Sequence, residues 1–215
     1  MRKTLSTAAW LSILVCVSQG QLQGQCWSLT PIQHRYPGNP FPQVCRISQF
    51  FDNITNAGKS HKAQDVVFNN GGTGVKPTIG TPVYAMESGT LALPTRRTAS
   101  PAPMGYPACE GQGMLANVVT IKATDGHKTK YVHVRPADSL FNADGTPKVN
   151  QQVSSGALIG TLDDSGCQSA PHLHVGRYDT AGNAVNFTIP CINPEPTTKL
   201  WDGLVDDDVP DEPVQ

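Results

Sequence analysis

The sequence predicts an all-β protein, a single domain built on antiparallel sheet with long loops. Three observations point there. Glycine and proline are abundant, at 20 and 18 of 215 residues, while charged residues make up only 15%; such a composition suits a turn-rich β chain better than a helical one. Short apolar runs alternate with polar residues and are separated by turn signals such as Asp125-Gly126. No stretch carries the sustained apolar spacing of three and four that a long amphipathic helix requires. The length fits one hydrophobic core rather than two.

The strand signals can be taken in order. The first covers residues 65–68 and the next residues 82–86, and after a turn at Gly89 a third covers 90–93. Residues 94–116 break the pattern with Pro94, Pro101, Pro103 and Pro107, and read as a long surface loop of the kind that often carries function. A strand over 117–122 should form a hairpin with one over 130–134 through Asp125-Gly126. Residues 153–162 contain Gly156 and Gly160 and suit a bulged strand. The last strands are expected over 172–175 and 184–189, with a turn at Ala181-Gly182-Asn183 between them.

The ends differ from the middle. Arg2 and Lys3, an apolar stretch from 8 to 17, and the small residues Ser18 and Gly20 read as an export signal over 1–20, cut before Gln21. That stretch is too short for an ordinary membrane span, and no later segment approaches one. The mature chain is therefore expected to be secreted, with no membrane partner, and to be a monomer. Residues 21–50, rich in Gln, Pro and Cys, read as an irregular N-terminal arm; 51–195 would be the domain, and 196–215 an acidic flexible tail. A net charge of −1 without a basic stripe argues against nucleic acid as a partner.

Of six cysteines, Cys16 lies within the export signal, leaving Cys26, Cys45, Cys109, Cys167 and Cys191. In an exported chain without a Cys-x-x-Cys pair these are disulfide candidates rather than metal ligands. The expected pairings are Cys26 with Cys45 and Cys167 with Cys191, with Cys109 left over. Asn53-Ile-Thr55 and Asn186-Phe-Thr188 fit the N-glycosylation pattern, although short sequons also arise by chance.

Three elements carry chemistry. In His172-Leu-His174 a strand would project both imidazoles from one face, with Leu173 and Val175 toward the core. Such a pair can share a metal, or divide metal binding and proton transfer between them. In His61-Lys-Ala-Gln-Asp65 the two polar side chains share a face in either a helix or a strand, so nitrogen and oxygen donors can reach one ion. Each of these patterns alone is more often a surface pair or a turn cap. His133 shares a face with Tyr131 in its expected strand, while Val132 and Val134 face the core; alone, it would be a structural histidine. His34 and His127 carry no assigned role.

Taken together and in order, His61-Lys-Ala-Gln-Asp65, Tyr131-Val-His133 and His172-Leu-His174 resemble the motifs of the lysostaphin-type (LytM-like) zinc endopeptidases, a family of peptidoglycan hydrolases. Segments 80–89, 153–160 and 169–174 resemble the family's flanking strands. The resemblance implies one Zn2+ held by His61, Asp65 and His174 in a groove walled by long loops. It also implies a catalytic pair, His172 as base and His133 to position water or stabilise the oxyanion. The expected function is hydrolysis of stem-peptide or cross-bridge bonds in bacterial peptidoglycan. This chain departs from the pattern at Ala63, where a glycine is usual, at Thr55, where many members carry a tyrosine, and in the length of loop 94–116. A second reading is a non-catalytic zinc-binding signalling or activator protein on the same scaffold; retention of both His133 and His172 counts against it. A third is a disulfide-stapled module whose histidines are incidental.

Overall fold

The computed structural model describes residues 31–52, 60–68, 76–95, 116–166, 168 and 170–191. The export signal, the acidic tail, most of loop 94–116, Asn53, Thr55, Cys26, Cys109 and Cys167 lie outside the described residues. Along the chain the strands are β1 (His34–Arg35), β2 (Cys45–Gln49), β3 (Gln64–Phe68), β4 (Pro82–Tyr84), β5 (Gly89–Thr95) and β6 (Val118–Ala123). They continue with β7 (Lys128–Val132), β8 (Val134–Pro136), β9 (Gln152–Val153), β10 (Leu158–Leu162), β11 (Leu173–Tyr178) and β12 (Phe187–Thr188). Among the described residues the only helical element is a 3₁₀ turn, Asp138–Leu140, so the all-β expectation holds.

A seven-stranded antiparallel sheet, in the order β2-β3-β11-β7-β6-β5-β9, forms the frame, and a three-stranded sheet, β4-β10-β8, closes over part of it. The core between them is filled by alternate residues of each strand: Cys45 and Ile47, Val66 and Phe68, Val119 and Ile121, Leu173 and Val175. The β6–β7 hairpin forms at Asp125-Gly126, where Gly126 takes a φ of +87° that a turn glycine adopts without strain. Pro94 lies inside β5 rather than in a loop. β9 covers only Gly89 and Thr90 of that strand, so Pro94 sits where β5 has a single neighbour, the position at which a missing N–H is tolerated.

Three expectations are corrected. Residues 31–50 are not irregular throughout: β1 pairs with β12, β2 joins the main sheet, and Tyr36, Phe41, Cys45 and Ile47 are core residues. The strand expected over 130–134 breaks at His133, whose φ of +60° ends β7 and starts β8 in the other sheet. Consequently Tyr131 belongs to the core, its hydroxyl accepting a hydrogen bond from Met86 N–H at 2.9 Å, and does not share the face of His133. Finally, Cys45 is bonded to Cys191 across 146 residues of sequence, which overturns both expected pairings, since each needed one of these two cysteines. The sheet brings them together: Cys45 N–H donates to Cys191 carbonyl at 2.6 Å. Closing so long a loop removes much denatured-state entropy, worth roughly 2–5 kcal/mol in natural disulfides. Reduction is accordingly expected to lower the urea midpoint markedly without altering metal content; an unmoved midpoint would show that the bond carries no stability.

Two buried polar side chains find partners within the fold. Arg177, on the core face of β11 and only 1% exposed, pairs with Glu87 and with Asp125 Oδ2 at 2.8 Å, an arrangement that avoids an uncompensated buried charge. Asn186, 6% exposed, accepts hydrogen bonds from Gln64 Nε2 at 3.2 Å and Phe187 N–H at 2.9 Å. Its sequon is therefore closed to a glycan in the folded chain.

Candidate metal and catalytic site

Strand register places the first two site residues. Pairing of β3 with β11 sets Asp65 directly opposite His174, which is where antiparallel neighbours can share a ligand. His61 arrives from the turn ahead of β3. That turn is clamped by Asp52, whose N–H donates to His61 carbonyl at 2.7 Å and whose carboxylate accepts from Ser60 Oγ at 2.8 Å and pairs with Lys62. Asp52 itself takes a φ of +63°, a conformation that Asp tolerates better than most residues.

The three donors converge. Asp65 Oδ1 lies 2.9 Å from His174 Nδ1 and 3.5 Å from His61 Nε2, and those two nitrogens are 3.2 Å apart. Among the described residues, His61, Asp65 and His174 are the group of His, Cys, Asp or Glu placed to hold a metal ion. Tetrahedral zinc with bonds of about 2.0–2.2 Å holds its donors about 3.3–3.6 Å apart, so these separations need only a small adjustment to fit it. The donor set, two imidazoles and a carboxylate, is one zinc accepts. His61 Nδ1 faces the Phe50 carbonyl at 3.4 Å, which places its proton there and leaves Nε2 as the ligand atom.

His172 and His133 stand beside this trio. His172, immediately before β11, keeps its Nδ1 2.8 Å from Ala170 carbonyl and brings Nε2 to 3.7 Å from Asp65 Oδ1. His133, at the corner between the two sheets, is fully buried; its ring lies 4.9 Å from that of His172 and 6.2 Å from that of His174. His133 Nδ1 is 2.8 Å from Ser165 carbonyl. A carbonyl only accepts, so Nδ1 carries a proton in both histidines, and in the neutral form of each ring Nε2 offers a lone pair. In His133 that Nε2 is buried without a partner among the described residues. All five residues singled out in the sequence are thus brought together. The sequence did not single out Asp52, Phe50, Asp163 or Ser165, which hold them. The Asp163-x-Ser165 spacing, typical of a side chain bonding its own turn, is the one signal that could have been read.

Electrostatics follow the geometry. Burial, together with the neighbouring charges of His172 and His174, pushes His133 from 6.5 down to about 3, against the opposing hydrogen bond to Ser165. Burial alone would raise Asp65, but the imidazoles of His61 and His172 and the hydrogen bonds from His174 and His61 hold it well below the usual carboxylate range. An unfolded histidine protonates near 6.5 and folded His133 only near about 3; between these values the unfolded chain binds more protons, so acidification erodes stability. Asp65 adds to the loss at the acid end, its contribution being present above 3.8 and disappearing as pH falls through its lower folded value. The chelated protein is therefore expected to unfold at progressively lower urea between about pH 7 and about pH 4. A level midpoint over that range would contradict it.

The model of peptidase family M23 matches residues 68–187, more than half of the 215-residue chain. The chain belongs to peptidase family M23. The match takes in His133, His172 and His174; His61 and Asp65 lie just ahead of it and are joined to it by the β3–β11 pairing. Among solved structures, a zinc-containing peptidase from Vibrio cholerae is 20% identical, with a TM-score of 0.46, 78% of this chain and 45% of that one being covered. The catalytic domain of the antimicrobial peptidase lysostaphin from Staphylococcus simulans is 25% identical (TM-score 0.36; 71% of this chain and 80% of that one). The prophage-encoded M23 protein EnpA of Enterococcus faecalis, as a point mutant of its catalytic domain, is 22% identical (TM-score 0.45; 70% and 93%). The M23 chain spans about half the length of the first two structures it matches, at 45% and 52%. No curated protein matches it in sequence.

Proposed function

We propose that the protein is a secreted zinc endopeptidase that hydrolyses peptide bonds in bacterial peptidoglycan, with His61, Asp65 and His174 holding the ion and His172 and His133 handling the water. The observation that carries this reading is the convergence of three donor atoms 2.9–3.5 Å apart beside two imidazoles whose Nδ1 atoms are held by backbone carbonyls. Zinc, when bound, supplies Lewis acidity toward both the attacking water and the scissile carbonyl. His172 Nε2, the nearer to the donor trio, takes the proton of the attacking water and returns it to the leaving amine. Neutral His133 has only an acceptor to offer at Nε2, so it orients that water rather than donating to an oxyanion. Of its two expected roles, this geometry favours the first.

The export reading draws support from the basic and apolar start of the chain and from the Cys45–Cys191 disulfide, which persists in oxidising compartments. The substrate class rests on the ordered motifs His61-x-x-x-Asp65, Tyr131-x-His133 and His172-x-His174. Digestion of purified cell walls of defined cross-bridge chemistry, followed by mass spectrometry of the released peptides, tests it. Chelator-sensitive release of peptides with new amino termini is expected, from protein containing about one zinc per chain. Protein that holds zinc but releases nothing from any wall type would instead support a binding role on this scaffold.

A further inference from the structure

Asp163 is a buried carboxylate outside the metal and proton chemistry, yet its side-chain contacts lead toward His133. Its Oδ1 accepts from Ser165 N–H at 3.0 Å and Ser165 Oγ–H at 2.5 Å, and its Oδ2 accepts from Asn117 Nδ2 at 2.5 Å. Ser165 Oγ in turn accepts from Asn117 N–H at 2.7 Å. The result is a rigid turn whose Ser165 carbonyl accepts the Nδ1 proton of His133 at 2.8 Å. Asp163 also grips the histidine from the other side, its N–H donating to His133 carbonyl at 3.0 Å. Gly166 completes the cradle: it takes a φ of +76°, and a Cβ there would lie 2.8 Å from Ala116 Cβ and 3.2 Å from His133 Cε1. The turn thus packs directly against the imidazole, and no larger residue fits.

We propose that Asp163 is the positioning residue of His133. Through Ser165 it fixes the Nδ1-protonated tautomer, and through its own backbone it stabilises the left-handed conformation that turns the ring into the site. The buried His133 Nε2, without a partner among the described residues, is the atom so aimed. The inference deepens the hydrolase reading and relies on it for one of its two readouts. An ordered acceptor group fixing an imidazole through an intermediary is a recurring device, and loss of such support typically costs about 10- to 100-fold in activity.

Asp163→Asn tests it on the full, zinc-loaded chain. Asparagine keeps the shape but brings one NH2 face against either Asn117 Nδ2 or the two Ser165 donors, a donor–donor clash either way. The double variant Asp163→Asn with Asn117→Asp restores the complementary pair. Zinc content should equal wild type, while kcat for peptide release from cell walls should fall about 10- to 100-fold and KM change by less than about twofold. Nitrogen NMR of labelled histidine should show His133 as one Nδ1-protonated tautomer in wild type and a mixture in Asp163→Asn. Both readouts should recover in the double variant. A single unchanged tautomer in Asp163→Asn overturns the proposal, as does a kcat loss that the double variant fails to rescue. If wild type releases no peptide, the hydrolase reading fails, and the tautomer measurement alone still decides the positioning role. Should Asp163→Asn not fold, Ser165→Ala, which removes the hydroxyl link alone, decides by the same two readouts.

Discussion

Substitution of His174 by alanine is expected to abolish bound zinc and peptide hydrolysis together while leaving the sheet intact. The reason is geometric. His174 Nδ1 is the donor that lies close to both others, 2.9 Å from Asp65 Oδ1 and 3.2 Å from His61 Nε2, so its removal leaves two ligands where structural and catalytic zinc sites use at least three. Removal of a supporting residue already lowers metal affinity about 10- to 100-fold, and the loss of a ligand itself exceeds that. The same change takes from Asp65, a carboxylate 5% exposed, the imidazole nearest to its Oδ1. Asp65→Asn separates the two effects: it keeps the volume, removes the charge, and should also release metal. Metal analysis after dialysis, alongside wall digestion, reads both. His174→Ala protein that keeps a full complement of zinc would remove His174 from the ligand set and with it the division of roles among the five residues.

How far the site was legible follows from where its information lies. Spacing alone left His61 and Asp65 as a common surface pair, and only the ordered set of motifs singled them out; alternation in β11 correctly sent Leu173 and Val175 to the core. Alternation failed at Tyr131 and His133, because period two holds only while the backbone stays extended. At His133 a φ of +60° interrupts it, and that conformation is stabilised by Asp163, thirty residues away in sequence, through contacts with no local pattern. The N-terminal arm misled for a related reason. Its Pro and Gln content suggests irregularity, but Tyr36, Phe41 and Ile47 are scattered singly and become core only once β2 pairs with β3. Disulfide connectivity is likewise a property of the assembled sheet: the Cys45–Cys191 bond joins the first long strand to the end of the fold, where local spacing favours nearer partners.

The companion prediction concerns proton transfer and should split cleanly from metal binding. His172→Ala is expected to retain zinc and the fold but to lose about 10²- to 10⁴-fold in kcat, the range that general acid–base catalysis supplies. His172 precedes β11 rather than lying within it, and its Nδ1 bonds to the Ala170 carbonyl, so removing its ring disturbs a loop and spares the β3–β11 register that sets Asp65 opposite His174. For His133 an asparagine is the better probe, since it tolerates a positive φ that alanine does not; it should also keep zinc and lose turnover. If both imidazoles serve one water, the double variant should be scarcely worse than the weaker single variant, because the second removal acts on a proton path already broken. Strictly multiplicative losses would instead mean that His172 and His133 act on separate steps. Retained turnover in His172→Ala would shift the base to His133, the other imidazole with a free Nε2 lone pair at this site.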